Sequence, residues 1–477
     1  MKLNLLHRVL FILITFGIFS CENTIPTPDS GNNSNNNNAA SPYKDVNNWI
    51  YDEMKEWYLW SDNMPEKSKT NVTLAPGKDG VYDTQKYYFY SILNDYPNVD
   101  RFSWIRENIV DLTNSLTGKS TAFGFTRTAV FLDNSQTNIG FFISYVIKDS
   151  PAEKAGLKRG DVILTINGQT INKDNYVTIL SNIESATFGL GEQKNGAFVL
   201  SGKSLQATKA EIQNDPVHYW TVIEKGNKKI GYLVYSQFIA TYDSKLKQVF
   251  GEFKSKGINE LILDFRMNGG GSVSSADLIS SLVVKNPNTN NVIHRDQWNT
   301  TITQKYPSVA NPTKFSAQAN NLGNLDRVFV LTSNNTASAS ELVINSLRPY
   351  MNVVLIGEHT YGKNVASITI KDEENPIRWK WGMQPIVLKT VNAKGESEYG
   401  TESGFSPDYI VKDNIYPYLP WGDENETLLK KALEVITGTL ATSKGGSNLR
   451  SNLNTLDLHV SDLSTMNDKN MYVRMPK

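Results

Sequence analysis

A serine, a lysine and a run of glycines in this sequence offer the chemical groups that acyl transfer requires. Ser338 lies in the stretch NNTASASE, directly after the apolar segment RVFVLT and at the start of a predicted helix. Lys363 closes the turn GEHTYGK after the apolar segment VVLI, and the glycines form the stretch NGGG at 268–271. A hydroxyl is a nucleophile, a neutral amine is a base, and exposed backbone N–H groups stabilise an oxyanion. These three features are the candidate catalytic groups.

Each of these features also has an ordinary structural explanation. The spacing of Ser338 and Glu341 fits a helix capping box, in which the serine hydroxyl contributes about 1 kcal/mol to helix stability. A glycine run is more often a flexible turn than an oxyanion hole, and a single lysine is usually an exposed charge. Spacing alone therefore leaves both a cap and a nucleophile open for Ser338.

The lysine turn also matches most of a nucleotide-binding loop, because Gly357, Gly362 and Lys363 spell G-x-x-x-x-G-K. A phosphate-binding loop needs Ser or Thr after the lysine and a helix whose first N–H groups cradle the phosphate. Here Asn364 follows the lysine, and the next residues, VASITIKD, alternate as in a strand. The sequence therefore argues against nucleotide binding.

A histidine-based hydrolase is a further alternative. His359 lies four residues before Lys363, and Asp264 ends an apolar strand pattern, so a Ser-His-Asp site has its components. A metal site has weaker support, since the sequence holds no H-E-x-x-H motif and no paired Cys/His spacing. No metal and no other cofactor is expected.

Five segments together resemble the tail-specific, or C-terminal processing, serine peptidases, which also carry a PDZ domain. They are, in order, IGYLVYSQF, LILDFRMNGGG, TASASE, VVLIGEHTYGKN and GFSPDYIV. The resemblance covers about residues 120 to 440 and implies a crotonase/Clp-protease-like α/β catalytic domain. In that family the nucleophile is the middle serine of an S-A-S-A-S-E-like run, and the base is the lysine of a Y/F-G-K turn 25 positions later. Ser338 and Lys363 match these two positions and are 25 residues apart.

A lysine base imposes a condition on its surroundings. The pKa of a free lysine is about 10.4, so the amine is neutral at working pH only where burial lowers that value by several units. The apolar segments on both sides of Lys363 would provide a dry site. In such a site, the N–H of Ala339 and that of Gly269 or Gly270 would face the developing oxyanion.

The residues just after the lysine depart from the family pattern. Many relatives have a glycine directly after the lysine and a glutamine four positions beyond it that orients the amine. This chain has Asn364 and Ser367 at those positions. Ser367 is therefore the candidate orienting group, although its side chain has a shorter reach than glutamine.

The patterns around these residues predict a multidomain α/β protein. Aromatic residues at helical spacing in NNWIYDEMKEWYLW indicate a small helical domain. The stretch SPAEKAGLKRGDVILTING resembles a PDZ domain, in which Phe123, Gly124 and Phe125 would capture the terminal carboxylate of a substrate. Alternating strand and helix patterns from about Trp220 onward indicate the α/β domain.

The predicted organisation has six parts. They are a lipoprotein signal peptide (1–21), a tether (22–42), a helical N-terminal domain (43–115), a PDZ-like, β-rich domain (120–213), an α/β serine peptidase domain (214–440) and a C-terminal tail (441–477). The tail is rich in Ser, Asn, Gly and Leu and has no helical period. We expect it to be mobile or to lie along the surface.

The first residues predict a membrane anchor. Basic residues precede an apolar run at 9–19 that is too short to span a membrane, and Ser20 and Cys21 follow in a sequence that resembles a bacterial lipobox. Cys21 is the only cysteine in the chain. A plain secretory signal is the alternative. The Asn-rich stretch after Cys21 cannot bury enough apolar surface to fold and indicates a tether.

The charge balance narrows the range of partners. Lys plus Arg and Asp plus Glu number 48 each, so nothing favours nucleic acid. The expected partners are a polypeptide substrate and an extracytoplasmic membrane reached through a lipid anchor, while the oligomeric state stays open. The alternative to a peptidase is a lipoprotein of the same fold that binds a peptide or polymer without catalysis.

Overall fold

The computed structural model describes residues 44–70, 84–439, 455–461 and 471–476. The predicted signal peptide, Cys21 and the tether lie outside these residues. Among the helices that are described, none has the length and apolar character needed to cross a membrane.

The N-terminal region is helical, as predicted. Helix α1 (Lys44–Trp57) buries Ile50, Met54 and Trp57 on one face, which confirms the aromatic stripe as core. Helices α2 (Thr84–Ser91) and α3 (Ile109–Leu116) follow. A short strand, β1 (Trp104–Arg106), interrupts them. The helical prediction missed β1, which pairs with a segment almost 280 residues further along the chain.

The next region is rich in strands and confirms the PDZ-like pattern of strand, short helix and strand. Its helix, α4 (Pro151–Lys154), is capped by the Ser150 hydroxyl, which accepts the N–H of Glu153 at 3.2 Å. Gly156, with φ +98°, follows its end as predicted. The strands are β2 (Lys119–Ala122), β3 (Phe125–Phe131), β4 (Ile139–Val146), β5 (Val162–Ile166), β6 (Gln169–Thr170), β7 (Ser185–Lys194), β8 (Ala197–Thr208) and β9 (Ala210–Gln213).

The third region alternates strand and helix as predicted. Its helices are α5 (Asp243–Ser255), α6 (Val273–Val283), α7 (Thr300–Lys305), α8 (Ala339–Leu347) and α9 (Thr427–Thr437). Its strands are β10 (Val217–Lys225), β11 (Lys228–Tyr235), β12 (Glu260–Asp264), β13 (Gly271–Ser272), β14 (Val292–Trp298), β15 (Thr313–Lys314), β16 (Arg327–Thr332), β17 (Asn352–Gly357), β18 (Val365–Ser367), β19 (Ile370–Lys371), β20 (Gly382–Gln384), β21 (Ile386–Asn392) and β22 (Tyr409–Ile410).

A six-stranded sheet in the order β10-β11-β12-β16-β17-β22 forms the centre of this region. Its strands are parallel except β10, which pairs antiparallel with β11. Apolar residues of α5, α6 and α8 pack on one face of the sheet, and those of α9 pack on the other. Coverage on both faces explains why these strands are almost continuously apolar.

A second six-stranded sheet includes a strand of the C-terminal tail, β24 (Met471–Tyr472), and has the order β13-β24-β18-β21-β14-β15. The tail contributes β23 (Thr455–Ser461), which pairs with β3, and β24 (Met471–Tyr472), which lies between β13 and β18. The expectation of a mobile or surface tail is wrong for β24, because Met471 is completely buried. Contacts with distant strands, rather than local periodicity, order this segment.

Candidate active site

Ser338 lies at a sharp turn between strand β16 and helix α8. Its backbone has φ +66° and ψ −116°, a left-handed conformation that costs a non-glycine residue on the order of 1 to 3 kcal/mol. The residue is fully buried, and its hydroxyl has no hydrogen-bond partner within the described part of the chain. A strained, buried and uncommitted hydroxyl is consistent with a nucleophile.

Glu341 holds this turn in place. The arrangement has the outline of a capping box, but only the glutamate half carries a hydrogen bond of good geometry, from the Ser338 N–H to Oε2 at 2.7 Å. Helix capping by the Ser338 hydroxyl is therefore not what keeps that side chain in place.

The Glu341 carboxylate also joins the serine turn to the lysine turn. Its Oε2 accepts the N–H of Lys363 at 2.9 Å, in addition to that of Ser338. Its Oε1 accepts the N–H of Gly362 at 2.7 Å and the hydroxyl of Thr360 at 2.5 Å. Burial raises the pKa of Glu341, the four hydrogen bonds oppose that rise, and the value is about 7. The sequence indicates Glu341 only as part of a helix cap, because its link to the lysine turn joins segments about 20 residues apart.

Lys363 ends a turn whose backbone requires glycine. Gly362 has φ +87°, and a Cβ there would lie 1.6 Å from the carbonyl oxygen of Thr401. The side chain of Lys363 is 1% exposed, and its amine lies 5.0 Å from the centroid of the Phe102 ring. Arg101 donates to the Gly362 carbonyl at 3.1 Å. The segment before β1 therefore helps to enclose the lysine, which no local pattern around Lys363 could indicate.

The glycine turn after β12 is held by Asn268. The Asn268 side chain accepts the N–H of Gly270 at 2.9 Å and donates to the Tyr235 carbonyl at 2.8 Å. The N–H groups of Gly269 and Ala339 have no acceptor within the described residues. Of the three predicted oxyanion donors, these two are thus available for a ligand, whereas the N–H of Gly270 is engaged inside the turn.

Ser367 begins a different network from the predicted one. Its hydroxyl donates to the Met471 carbonyl at 3.0 Å and accepts from the side-chain amide of Gln384 at 3.0 Å. Gln384 is fully buried and accepts in turn from Thr369. Orientation of Lys363 by Ser367 stays a prediction, and Gln384 is a nearby polar group that the sequence did not single out.

The histidine alternative is not assembled in this structure. His359 is in an exposed turn, where its Nδ1 contacts the Ser403 carbonyl at 3.2 Å and the Ser406 hydroxyl at 3.4 Å. Asp264 is buried and accepts three hydrogen bonds from the side chain of Arg266 as well as the hydroxyl of Tyr232. Neither residue has the other as a partner.

Arg266 belongs to a buried charge cluster behind the glycine turn. It pairs with Asp264 at 2.7 Å, with Glu426 at 2.5 Å and with Asp413 at 3.0 Å. Burial raises the pKa of Glu426, but Arg266 lowers it more strongly, to about 2. These ion pairs hold the end of β12 in place, and therefore also the start of the turn that carries Gly269.

The predicted carboxylate loop of the PDZ-like region lies at the start of β3. Phe123 and Phe125 are buried and pack edge to face against Phe188. Gly124 has φ +95°, and a Cβ there would lie 2.3 Å from the Cβ of Ser150, so close approach of α4 requires glycine. The rings thus have a core role, and the carbonyl groups of Phe123 and Gly124 accept the N–H groups of Ala152 and Ile147, at 2.9 and 2.8 Å.

Together these elements place a buried serine and a buried lysine on two turns that both bind the Glu341 carboxylate. Two N–H groups without an acceptor among the described residues, those of Gly269 and Ala339, complete the set. Such an arrangement can transfer an acyl group, with the hydroxyl as nucleophile and the amine as proton acceptor. Within the described residues no group of three or more His, Cys, Asp or Glu side chains could hold a metal ion.

Three family models match the chain in the order of its predicted parts. The model "Peptidase S41 N-terminal domain" matches residues 45–104, "PDZ domain" matches 142–186, and "Peptidase family S41" matches 229–411. Each match falls inside one of the predicted domains, although the predicted boundaries themselves stay predictions.

Known proteins with similar sequences are C-terminal processing proteases by name. The carboxy-terminal processing protease CtpA of Bacillus subtilis is 28% identical over 287 residues, which are 59% of this chain and 55% of that protein. A protein of Staphylococcus saprophyticus named "Probable CtpA-like serine protease" is 24% identical over 332 residues, or 69% of this chain and 60% of that protein. The chain thus spans little more than half the length of these relatives.

A solved structure assigned to the S41 proteases, from Bacteroides fragilis, is similar over nearly its full length. It is 28% identical, the match covers 82% of this chain and 97% of that one, and the TM-score is 0.69. The multidomain architecture is therefore shared with an S41 protein.

Proposed function

This chain belongs to peptidase family S41, with an S41 N-terminal domain and a PDZ domain, and we propose that it is a serine endopeptidase with a Ser338–Lys363 dyad. Its substrates would be unfolded or C-terminally exposed polypeptides. The observation that carries the proposal is the Glu341 carboxylate, one oxygen of which binds the backbone N–H of both Ser338 and Lys363.

The chemistry would proceed through an acyl-enzyme. Ser338 Oγ attacks the peptide carbonyl carbon while the neutral Lys363 amine accepts the hydroxyl proton. The N–H groups of Gly269 and Ala339 donate to the oxyanion. The lysine then returns the proton to the leaving amine, and water hydrolyses the ester by the same proton route. No metal or organic cofactor is part of this scheme.

The PDZ domain would capture the substrate tail. In this mode an extended peptide adds to a sheet edge as a strand, and backbone N–H groups bind its terminal carboxylate. The match to a PDZ domain supports this role, as does the position of Phe123, Gly124 and Phe125 at the start of β3. Capture of this kind favours substrates that present a free C-terminus.

Hydrolysis of denatured casein tests the proposed activity. Wild-type protein should release acid-soluble fragments, and Ser338→Ala should not. Ser338→Ala should unfold at the wild-type temperature, because the lost hydroxyl makes no hydrogen bond to any residue that the structure describes. A short cleavable peptide with an amidated C-terminus should show a higher KM than the free acid. If correctly folded wild-type protein binds casein but releases no fragments, the non-catalytic alternative holds instead.

We further propose that the mature protein is attached to an extracytoplasmic membrane surface through an acylated Cys21. The proposal rests on the sequence Ile18-Phe19-Ser20-Cys21 and the Asn-rich stretch after it. Mass spectrometry of the natural N-terminus should find diacylglyceryl-modified Cys21. An unmodified N-terminus at another residue, on protein released by osmotic shock, would show a plain secretory signal.

A further inference from the structure

The C-terminal tail fills a gap in the second sheet beside the candidate dyad. Strand β24 is parallel to both of its neighbours, with Met471 opposite Gly271 in β13 and Tyr472 opposite Ser367 in β18. The order β13-β24-β18 means that no other strand separates β13 from β18. Since adjacent strands are about 4.8 Å apart, the space is one strand wide. We call this space between β13 and β18 the strand cleft.

Polar contacts hold the tail in the strand cleft as a true strand. The N–H of Val473 donates to the Ser367 carbonyl at 3.0 Å, and the Ser367 hydroxyl donates to the Met471 carbonyl at 3.0 Å. The hydroxyl of Tyr472 donates to the Leu116 carbonyl at the end of α3 at 3.3 Å. Backbone contacts of this kind would bind any extended polypeptide, because they do not depend on its side chains.

The strand cleft lies next to both catalytic turns. Strand β13 begins one residue after Gly270, in the glycine turn, and β18 begins two residues after Lys363. A polypeptide that enters the cleft therefore has the strand after the glycine turn on one side and the strand after the lysine turn on the other.

The cleft also selects a side chain. Met471 is completely buried and belongs to the main hydrophobic core of the protein, whereas Met475, four residues later, is 38% exposed. A peptide in the same register would place one apolar side chain in the Met471 position. Charged side chains at that position would lose their hydration without a partner.

The preceding part of the tail occupies the edge of the PDZ sheet. Strand β23 pairs antiparallel with β3, with Thr455 opposite Val130 and Ser461 opposite Thr126. Its chain direction therefore leads toward the Phe123–Phe125 loop. Both surfaces proposed to receive substrate thus carry a strand of the same tail.

We propose that the strand cleft binds substrate by parallel strand addition, and that residues 471–476 of this chain are a tethered competitor for that position. The inference rests on the proposed peptidase function, of which it specifies the binding mode. A tethered segment acts at an effective concentration on the order of millimolar, so a substrate must displace it before cleavage. The substrate favoured by the cleft is an extended polypeptide with an uncharged, apolar residue at the Met471 position.

The test compares Met471→Asp with Met475→Asp in the full chain, on a short cleavable peptide. In the Met471→Asp protein the tail should leave the cleft, and kcat/KM should rise by about tenfold or more through a lower KM. The Met475→Asp protein should have the kcat/KM of wild type. Val473→Pro, which removes the N–H that binds Ser367 and leaves Met471 in place, should act in the same direction as Met471→Asp. A synthetic MYVRMPK peptide should inhibit the Met471→Asp protein competitively.

Several outcomes would overturn the competitor assignment. One such outcome is that wild type, Met471→Asp and Val473→Pro have the same kcat/KM while Ser338→Ala is inactive. The protein would then be a peptidase whose tail does not compete with substrate. Another is removal of residues 471–477 from the wild-type chain but not from Ser338→Ala, because the tail would then be a substrate. Failure of the peptidase function itself looks different: no variant cleaves any peptide, while fluorescent MYVRMPK still binds Met471→Asp more tightly than wild type.

Discussion

Lys363→Arg is expected to be as inactive as Lys363→Ala, with kcat lowered by about four orders of magnitude or more. A base must accept the proton of Ser338, and a guanidinium cannot lose its own proton at working pH. Arginine keeps the positive charge and much of the length of lysine, so the comparison isolates proton transfer. The measurement is peptide hydrolysis on the purified variants, with thermal unfolding as the control for folding.

His359→Ala is the matched control for this prediction. His359 lies four residues before Lys363 but is exposed, and its ring contacts only Ser403 and Ser406 among the described residues. We expect the His359→Ala protein to stay largely active. Clear activity in Lys363→Arg, or loss of activity in His359→Ala at unchanged stability, would contradict a lysine base and favour the histidine alternative.

The elements that the sequence predicted well are those whose signal is local. Strands such as β12 and β16 are nearly continuous apolar runs, and α5 repeats apolar residues at helical spacing. The turns that carry Ser338 and Lys363 follow such strands, so their place at one edge of the sheet follows from parallel topology. The catalytic roles of the two residues still stay predictions.

The features that the sequence could not indicate depend on distant contacts. Phe102 lies 261 positions before Lys363 yet contacts its amine, and Gln384 reaches Ser367 from a different strand. Strand β24 is a short segment whose order comes from β13 and β18. The long hairpin of β7 and β8 was also missed, because many of its residues are partly exposed and do not alternate strictly.

The departures after the lysine have structural explanations. The side-chain amide of Asn364 donates to the carbonyl and the hydroxyl of Ser397, both at 3.0 Å, and lies against Gly400. A glycine at this position could not make these bonds. Asn364 therefore ties the lysine turn to the loop after β21, and Gln384 places an amide beside Ser367.

Glu341→Gln is expected to lower kcat by about two to three orders of magnitude with little change in KM. The carboxylate accepts four hydrogen bonds, two on each oxygen. An amide has one oxygen and one NH2 group, so two of the four donors would face another donor. The turns of Ser338 and Lys363 would separate or rotate, and even about 1 Å of misplacement can cost a hundredfold in rate. KM should change little because the strand cleft and the PDZ domain, which are the proposed places of substrate binding, do not include Glu341.

The pH dependence of stability separates this positioning role from general damage to the fold. Burial raises the pKa of Glu341 to about 7 from an ordinary value near 4.5, so the folded protein binds the proton more tightly than the unfolded chain does. Wild type should therefore gain stability relative to Glu341→Gln as the pH falls from 7 to 4.5, by about 3 kcal/mol, and lose that gain as the pH rises through 7. Urea unfolding of both proteins at pH 5 and pH 8 measures the difference. If the difference is the same at both pH values, then the pKa of Glu341 is not raised in the folded protein. If kcat is unchanged in the variant, then Glu341 does not hold the turns of Ser338 and Lys363 in a catalytic arrangement.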